Sequence, residues 1–173
     1  MNRGAIVGLF VLLCVLSIDV NAGSVAETSA RLPIADTIEV FKAKRELVLL
    51  KDGKPLKSYR VALGGDPVGP KRQQGDHRTP EGRYIIDFHN SSSAFDLSLH
   101  ISYPNADDRR QAARRGVAPG GAIMIHGLPN GLGWVGEAHR LRDWTDGCIA
   151  VTDSEIEEIA RVVPDGTPIV IHP

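Results

Sequence analysis

Short runs of β-branched and aromatic residues recur along this chain from residue 37 onward, and clusters of Gly, Pro, Asp and Asn separate them. Such runs are typical of β-strands, and the residues between them favour turns. Asp52-Gly53 predicts a tight hairpin turn. The pattern predicts strands at residues 38–42, 46–51, 57–63, 82–90, 97–103, 121–127 and 167–173.

Two segments have helical rather than strand character. Asn105 is positioned to cap a helix over residues 106–115, and Thr152 with Glu155 forms a capping box at the start of a second helix. Pro164 ends that second helix. Its apolar residues follow helical spacing: Ile156, Ile159, Ala160 and Val163. The whole pattern predicts a mainly β domain, a closed sheet or β-sandwich, with two short helices.

The N-terminus resembles an export signal. An apolar run over residues 5–16 follows Arg3, and it is shorter than the ~20 residues that a membrane-spanning helix needs. It suits the apolar region of a secretory signal peptide with cleavage after Ala22, although an uncleaved anchor is the alternative. We therefore expect a signal peptide at 1–22, a flexible leader at 23–36 and one domain at 37–173.

Cys148 would be the single thiol of the exported chain, because Cys14 lies in the predicted signal peptide. Cysteines normally pair in oxidising compartments, so an unpaired one indicates a reactive thiol or an intermolecular disulfide. A buried, inert cysteine is the simpler alternative. Asp146-Gly147 precede the thiol and favour an accessible turn, which argues for reactivity.

A nucleophilic cysteine needs a base, because the pKa of a free thiol is ~8.5. His126 ends a predicted buried strand and is our candidate for that base. The amides of Gly147 and Cys148 are candidates for an oxyanion pocket, and the N-terminus of the second helix lies nearby in sequence. Spacing alone does not place these groups together, since the chain has six histidines.

Charge excludes one class of partner. The chain has 20 Lys and Arg against 21 Asp and Glu, with a net charge of −1. Nothing in this balance indicates a nucleic-acid partner. The basic clusters at residues 70–78 and 109–115 are most simply read as solvated surface.

Several motifs in order resemble the L,D-transpeptidase (YkuD-type) catalytic domain family. "IHG" contains His126, and 18 residues (127–144) separate His126 from Thr145, where "TDGC" begins, which resembles the family signature of His-Gly followed by Ser/Thr-His-Gly-Cys. The segment "LGGDPVGPKRQQGDHRTPEGRYII" also resembles the family, and "LHISYPN" and "HGLPNG" resemble its small periplasmic branch. The resemblance implies a β-sandwich of this type, located in the periplasm, with no cofactor and no metal.

The resemblance also implies a reaction. Cys148 would attack the carbonyl between the meso-diaminopimelate L-centre and the terminal D-alanine of a peptidoglycan stem peptide, while His126 carries the proton. An amine of another stem, of a D-amino acid or of a wall-linked lipoprotein would take the acyl group. If water takes it, the enzyme is an L,D-carboxypeptidase or amidase.

Two positions depart from the family pattern. Asp146 replaces the usual histidine, and Ala150 stands where arginine or asparagine is frequent. Asp146 either raises the pKa of the Cys148 thiol, or pairs with Arg140 or Arg142, or is only a turn residue.

Further candidates follow from chemistry and from the resemblance. Arg140 and Arg142 are candidates to bind substrate carboxylates, because guanidinium matches carboxylate geometry. The remaining candidates are Thr145 and Gly127 as turn support and Trp134, Trp144, His100 and Tyr103 around the substrate.

Two other classes of protein remain open. His126, His139, Asp146 and Cys148 offer ligands for a zinc hydrolase, although the short helical spacing of two histidines is lacking. A non-catalytic wall-binding module would keep the fold without the chemistry, and the presence of both Cys148 and His126 argues against it.

Overall fold

The computed structural model describes Met1 and residues 32–173. The predicted signal peptide after Met1 and the predicted leader up to residue 31 lie outside the described residues. The last residues of that leader lie against the domain: Ala35 is buried, and its N–H donates to the carbonyl of Val162 at 2.8 Å. Within the described residues, no helix is both long enough and apolar enough to cross a membrane.

Eight strands and two α-helices form the domain, which confirms the predicted mainly β class. The strands are β1 (Thr37–Phe41), β2 (Glu46–Lys51), β3 (Lys54–Arg60), β4 (Gly82–Asn90), β5 (Ser98–Ile101), β6 (Met124–His126), β7 (Ile149–Ala150) and β8 (Pro168–His172). The helices are α1 (Ala106–Arg114) and α2 (Asp153–Val162), and two 3-10 segments lie at Lys42–Lys44 and Gly133–Leu141.

The strands form a single sheet that curls until its two edges meet. Their order is β3-β2-β1-β8-β4-β5-β6-β7, with β1–β8 and β6–β7 parallel and the other neighbours antiparallel. After β3 the chain crosses to the opposite edge, where Ala62 and Ala150 exchange two backbone hydrogen bonds of 3.0 and 2.9 Å. This contact joins the edges, so the predicted closed sheet is confirmed.

Two details of the sheet differ from the sequence prediction. The third strand begins at Lys54 and ends at Arg60. It ends there because Ala62 and Leu63 turn away from β2 and bond to residues 144–150 instead. Strand β7 was not predicted, since two residues carry no alternating pattern. The two 3-10 segments were not predicted either.

Local chemistry explains the turns and caps that were predicted. Asp52 and Gly53 both have positive φ, 50° and 71°, as a two-residue type I′ turn between β2 and β3 requires. The side chain of Asn105 accepts the N–H of Asp108 at 3.0 Å, and the Asp108 carboxylate accepts the N–H of Asn105 at 2.9 Å. This reciprocal pair satisfies two orphan donors at the start of α1.

The core lies inside the curled sheet and under α2. The helix contributes Ile156, Ile159 and Val162, whose spacing places them on one face. Full burial of each such side chain contributes ~1.5–3 kcal/mol. The strands contribute the rest, with Ile38, Leu47, Leu49, Ile86, Leu99, Ile101, Ile125, Ile149, Ile169 and Ile171 buried.

Two lysines, Lys42 and Lys71, are buried, and Lys42 lies at the end of β1. Lys42 follows β1, and its side chain is only 2% exposed. Its Nζ donates to the Glu81 carboxylate at 2.7 Å and to the carbonyls of Gly69 and Thr79 at 2.6 and 3.0 Å. All three ammonium donors therefore have acceptors, and the long loop over residues 61–81 is attached to the end of β1.

Replacing this lysine should destabilise the domain. We expect Lys42→Met to lower the free energy of unfolding by about 2–4 kcal/mol, because Glu81 and two carbonyls lose their donor. Urea denaturation followed by circular dichroism measures the change. Lys54→Met, at an exposed position of β3, is the matched control, and an equal effect of both variants would contradict the assignment.

Candidate active site

The parallel pair β6–β7 brings Cys148 and His126 to one cavity. Ile125 pairs with Ile149, so Cys148 lies one residue before the paired segment, beside Met124. The Met124 N–H donates to Cys148 Sγ at 3.4 Å. His126 lies two residues beyond Met124, so its side chain points to the same face of the sheet. Both side chains line a cavity of about 430 Å³.

Thr145 holds the turn that carries the cysteine. Its hydroxyl donates to the Cys148 carbonyl at 2.8 Å and accepts the Gly147 N–H at 3.1 Å. The Gly147 amide is thereby engaged within the turn and does not point freely into the cavity as our oxyanion hypothesis required. The Cys148 amide donates to no other group in the described part of the chain, so it is the candidate that remains.

Two glycines let three backbone segments pass each other beneath the thiol. A Cβ at Gly147, whose φ is 125°, would lie 2.5 Å from the Arg78 carbonyl oxygen. A Cβ at Gly64 would lie 2.2 Å from the His77 carbonyl oxygen and 3.1 Å from the Cα of Gly147. No side chain fits at these distances, so both positions require glycine.

His126 is held in one tautomer. The side chain is 4% exposed, and Nδ1 lies 2.6 Å from the Gly127 carbonyl oxygen. A carbonyl only accepts, so Nδ1 carries the hydrogen and Nε2 keeps its lone pair. Gly127 is closely packed, because a Cβ there would lie 2.7 Å from a carboxylate oxygen of Asp153 at the start of α2, and that side chain would have to shift.

Burial determines the charge of both groups. It lowers the pKa of His126, and the hydrogen bond to Gly127 opposes this only partly. Burial also raises the pKa of the Cys148 thiol, with the Met124 N–H lowering it, Asp146 raising it and Lys71 lowering it. At neutral pH the site therefore holds a thiol and a neutral imidazole rather than a thiolate–imidazolium pair.

Asp146 lies in the same turn and has a partner that was not foreseen. Its carboxylate is 2.7 Å from Nδ1 of His77, and the pair is largely exposed to solvent. Neither Arg140 nor Arg142 contacts it. His77 thus takes the partner position that we had suggested for an arginine.

The two arginines do not lie in the Cys148 cavity. Arg140 pairs with Glu155, whose carboxylate also accepts the Thr152 N–H at 2.9 Å at the start of α2. Its guanidinium is thus part of the helix cap. Arg142 is exposed and lines a different cavity, beside Leu141.

Of the other substrate-binding candidates, one lines the Cys148 cavity and the others lie outside it. Trp144 lines the Cys148 cavity, and its ring meets that of His126 edge to face with ring centroids 5.8 Å apart. His100 binds Asp87 and stacks on Phe88 outside that cavity. Trp134 is 82% exposed and does not line the cavity.

Tyr103 belongs to the core. It is 3% exposed, and its hydroxyl donates to the Pro119 carbonyl at 2.9 Å. Its ring packs edge-on against Tyr84. The structure therefore keeps Tyr103 away from the thiol.

Two groups at the site were not identified from the sequence. Phe95 packs against His126 with ring centroids 4.5 Å apart, and the Ala122 carbonyl lies 3.6 Å from Cys148 Sγ. Both lie on irregular segments, where neither periodicity nor a motif indicates which side chain or carbonyl faces the site.

The residues considered as zinc ligands are dispersed. Nδ1 of His139 lies 3.4 Å from the indole N–H of Trp144, and Asp146 binds His77. Within residues 32–173, no three His, Cys, Asp or Glu side chains are grouped so as to hold a metal ion.

The fold and the sequence match one family of known proteins. The described part of the chain is a closed β-sheet domain with a cysteine and a neutral histidine at one cavity. The model of the YkuD family, the L,D-transpeptidase catalytic domain, matches residues 35–171, and the chain belongs to this family. The family acts on peptidoglycan peptides and is generally associated with the cell wall.

Individual relatives agree with this assignment. YafK of Escherichia coli (strain K12) is 31% identical over 132 residues, which cover 73% of this chain and 46% of YafK. This chain therefore spans less than half the length of that relative.

Solved structures are similar over most of the chain. The helical cell shape determining protein Pgp2 from Campylobacter jejuni is 25% identical with a TM-score of 0.60, covering 82% of this chain and 50% of that one. Bd1075 of Bdellovibrio bacteriovorus is 25% identical with a TM-score of 0.56, covering 81% and 51%.

Removing the charge of Asp146 should make the thiol more acidic. Asp146 raises the pKa of Cys148, so Asp146→Asn should lower it and shift the pH profile of iodoacetamide alkylation downward. The effect should be modest, because the carboxylate is 89% exposed and solvent screens its field.

Asp66→Asn is the control, since this half-exposed carboxylate binds Arg78 instead of approaching the thiol. An unchanged alkylation profile in Asp146→Asn would show that Asp146 acts only as a turn residue and partner of His77.

Proposed function

We propose that this chain is a cysteine-dependent acyl transferase acting on peptidoglycan stem peptides, with Cys148 as nucleophile and His126 as general base. The observation that carries the proposal is the placement of Cys148 and His126 on one face of β6–β7, at one cavity, with the His126 tautomer set by Gly127. Membership of the L,D-transpeptidase family supplies the substrate class.

The first half of the reaction forms a thioester. His126 Nε2 takes the thiol proton as Sγ bonds to the carbonyl carbon between diaminopimelate and the terminal D-alanine. The C–N bond then breaks, and the imidazolium returns the proton to the departing amine of D-alanine. The free amide of Cys148 is the donor that we assign to the developing oxyanion.

A neutral starting pair suits this step. The thiol keeps its proton until the substrate arrives, because burial raises its pKa. The imidazole is unprotonated and ready to accept, because burial lowers its pKa. Proton transfer and attack therefore occur together, in a cavity from which the substrate displaces water.

The second half transfers the acyl group. An amine from a second stem, a D-amino acid or a wall-linked lipoprotein gives transpeptidation or exchange, and water gives carboxypeptidase or amidase products. Pgp2 is described as determining helical cell shape. We propose that this chain modifies stem peptides after export to the periplasm.

Product analysis tests the assignment of the nucleophile and the base. Incubation with a disaccharide tetrapeptide should release D-alanine and give a covalent adduct on the intact protein, measured by mass spectrometry. Cys148→Ala should abolish both. His126→Asn keeps a donor for the Gly127 carbonyl but lacks Nε2, so turnover should fall by roughly 10³-fold or more.

His100→Asn is the matched control, because His100 lies outside the cavity. Products made with and without an added amine acceptor distinguish cross-linking from hydrolysis. Turnover by natively folded Cys148→Ala would refute the mechanism.

The pH dependence of turnover tests the protonation state. Activity should fall when His126 becomes protonated, because an imidazolium cannot take the thiol proton. Since burial lowers the pKa of His126, the acidic limb of kcat/KM against pH should lie below the ordinary value of 6.5. An acidic limb at or above that value would contradict a buried, neutral base.

A further inference from the structure

We propose that His139 and Trp144 act together as positioning residues for His126: the hydrogen bond that the Trp144 indole donates to His139 holds the indole against the catalytic imidazole and keeps water away from it. This inference rests on the function proposed above for His126. It adds a role for His139, which contacts neither the thiol nor the Cys148 cavity.

Trp144 forms a wall between two cavities. On one side it lines the Cys148 cavity of about 430 Å³, and on the other it lines a cavity of about 480 Å³ beneath the 3-10 segment Gly133–Leu141. The second cavity is lined chiefly by apolar side chains, including Leu128 and Leu132. If the indole moved away, the two cavities would join and solvent would reach His126 from the second cavity.

Two aromatic rings enclose His126. The Trp144 ring lies 5.8 Å away at an interplanar angle of 69°, and the Phe95 ring lies 4.5 Å away. Phe95 and Trp144 also stack on each other at 6.4 Å. This packing accounts for the 4% exposure of His126, and it depends on the orientation of the indole.

His139 provides the contact that fixes this orientation. The Trp144 Nε1–H donates to His139 Nδ1 at 3.4 Å, a long bond, and the two rings meet edge to face with centroids 6.4 Å apart. His139 is 7% exposed. Nδ1 accepts only while it carries no proton, so the contact requires neutral His139.

The surroundings of His139 keep it neutral. Burial and then Arg140 lower the pKa of His139 to about 4, while Glu155 and Asp153 raise it and His126 lowers it. Because Arg140 pairs with Glu155, burial dominates. The titratable groups that share a cavity with His126 are Cys148 and Asp146.

Single-tryptophan spectroscopy tests the contact directly. Trp134 is the only other tryptophan and is exposed, so Trp134→Phe leaves Trp144 as the sole emitter. In this background His139→Leu should shift the emission to longer wavelength, because the indole loses its acceptor and becomes hydrated. His139→Asn places an acceptor near the position of Nδ1 and should restore the emission.

Acid titration gives a second signature. With His139 intact, Trp144 emission should change near pH 4, where Nδ1 gains a proton and releases the indole. The transition should be absent in His139→Asn while the far-ultraviolet circular dichroism stays native. This arm compares Trp134→Phe proteins that carry His139 or His139→Asn, so it remains decisive if His139→Leu does not fold.

The consequence for His126 is measured by histidine NMR and by kcat/KM against pH. In His139→Leu the pKa of His126 should move up towards 6.5 as water enters, and the acidic limb should move with it. His139→Asn should return both towards wild type, and Leu141→Ala, at an exposed position of the same segment, is the control.

Unchanged Trp144 emission and an unchanged His126 pKa in His139→Leu would overturn the positioning role. These readouts do not need turnover. Failure of the proposed function, seen as activity without Cys148, is therefore distinguishable from failure of this inference.

Discussion

The site depends on the close passage of three backbone segments at Gly64, Gly147 and the carbonyls of His77 and Arg78. Here the chain that closes the curled sheet runs between the cysteine turn and the loop before β4, at separations that exclude any Cβ. At this crossing the Leu63 carbonyl accepts the N–H groups of Trp144 and Thr145, and the Gly65 N–H donates to the Thr145 carbonyl. The Ala62–Ala150 contact lies beside them. The segment that joins the two edges of the sheet therefore also supports the turn that carries Cys148.

The electrostatic character of the site follows from that packing. A carboxylate in the cysteine turn would by itself oppose thiolate formation, and in this chain Asp146 is exposed and paired with His77. Burial has the larger influence on both Cys148 and His126, and it favours the neutral form of each. The rings of Phe95 and Trp144 exclude water, which would stabilise the charged forms of His126 and Cys148. These rings therefore influence the protonation state of the pair as much as the nearby charges do.

Much of the fold was predictable because its signals are local. The Asp52-Gly53 turn and the Asn105 cap depend on residues adjacent in sequence, and each was found where it was predicted. Strand β7 and the departure of residues 61–63 from β2 were missed. Strand β7 exists because Ile149 and Ala150 pair with β6, and the chain after β3 leaves β2 because Ala62 pairs with Ala150. Hydrophobic alternation within a short segment does not indicate a pairing partner elsewhere in the chain.

The sequence by itself determined the class of fold, the single candidate thiol and, through the order of its motifs, the resemblance to the L,D-transpeptidase family. Only the tertiary structure decided which side chains share a cavity. In the structure Phe95 and Trp144 pack against His126, and Asp146 pairs with His77. Arg140 pairs with Glu155 at the cap of α2, and Tyr103 is buried in the core. The physical reason is that composition and spacing govern short-range backbone conformation, whereas pairing, burial and the resulting pKa values arise from contacts between segments far apart in the chain.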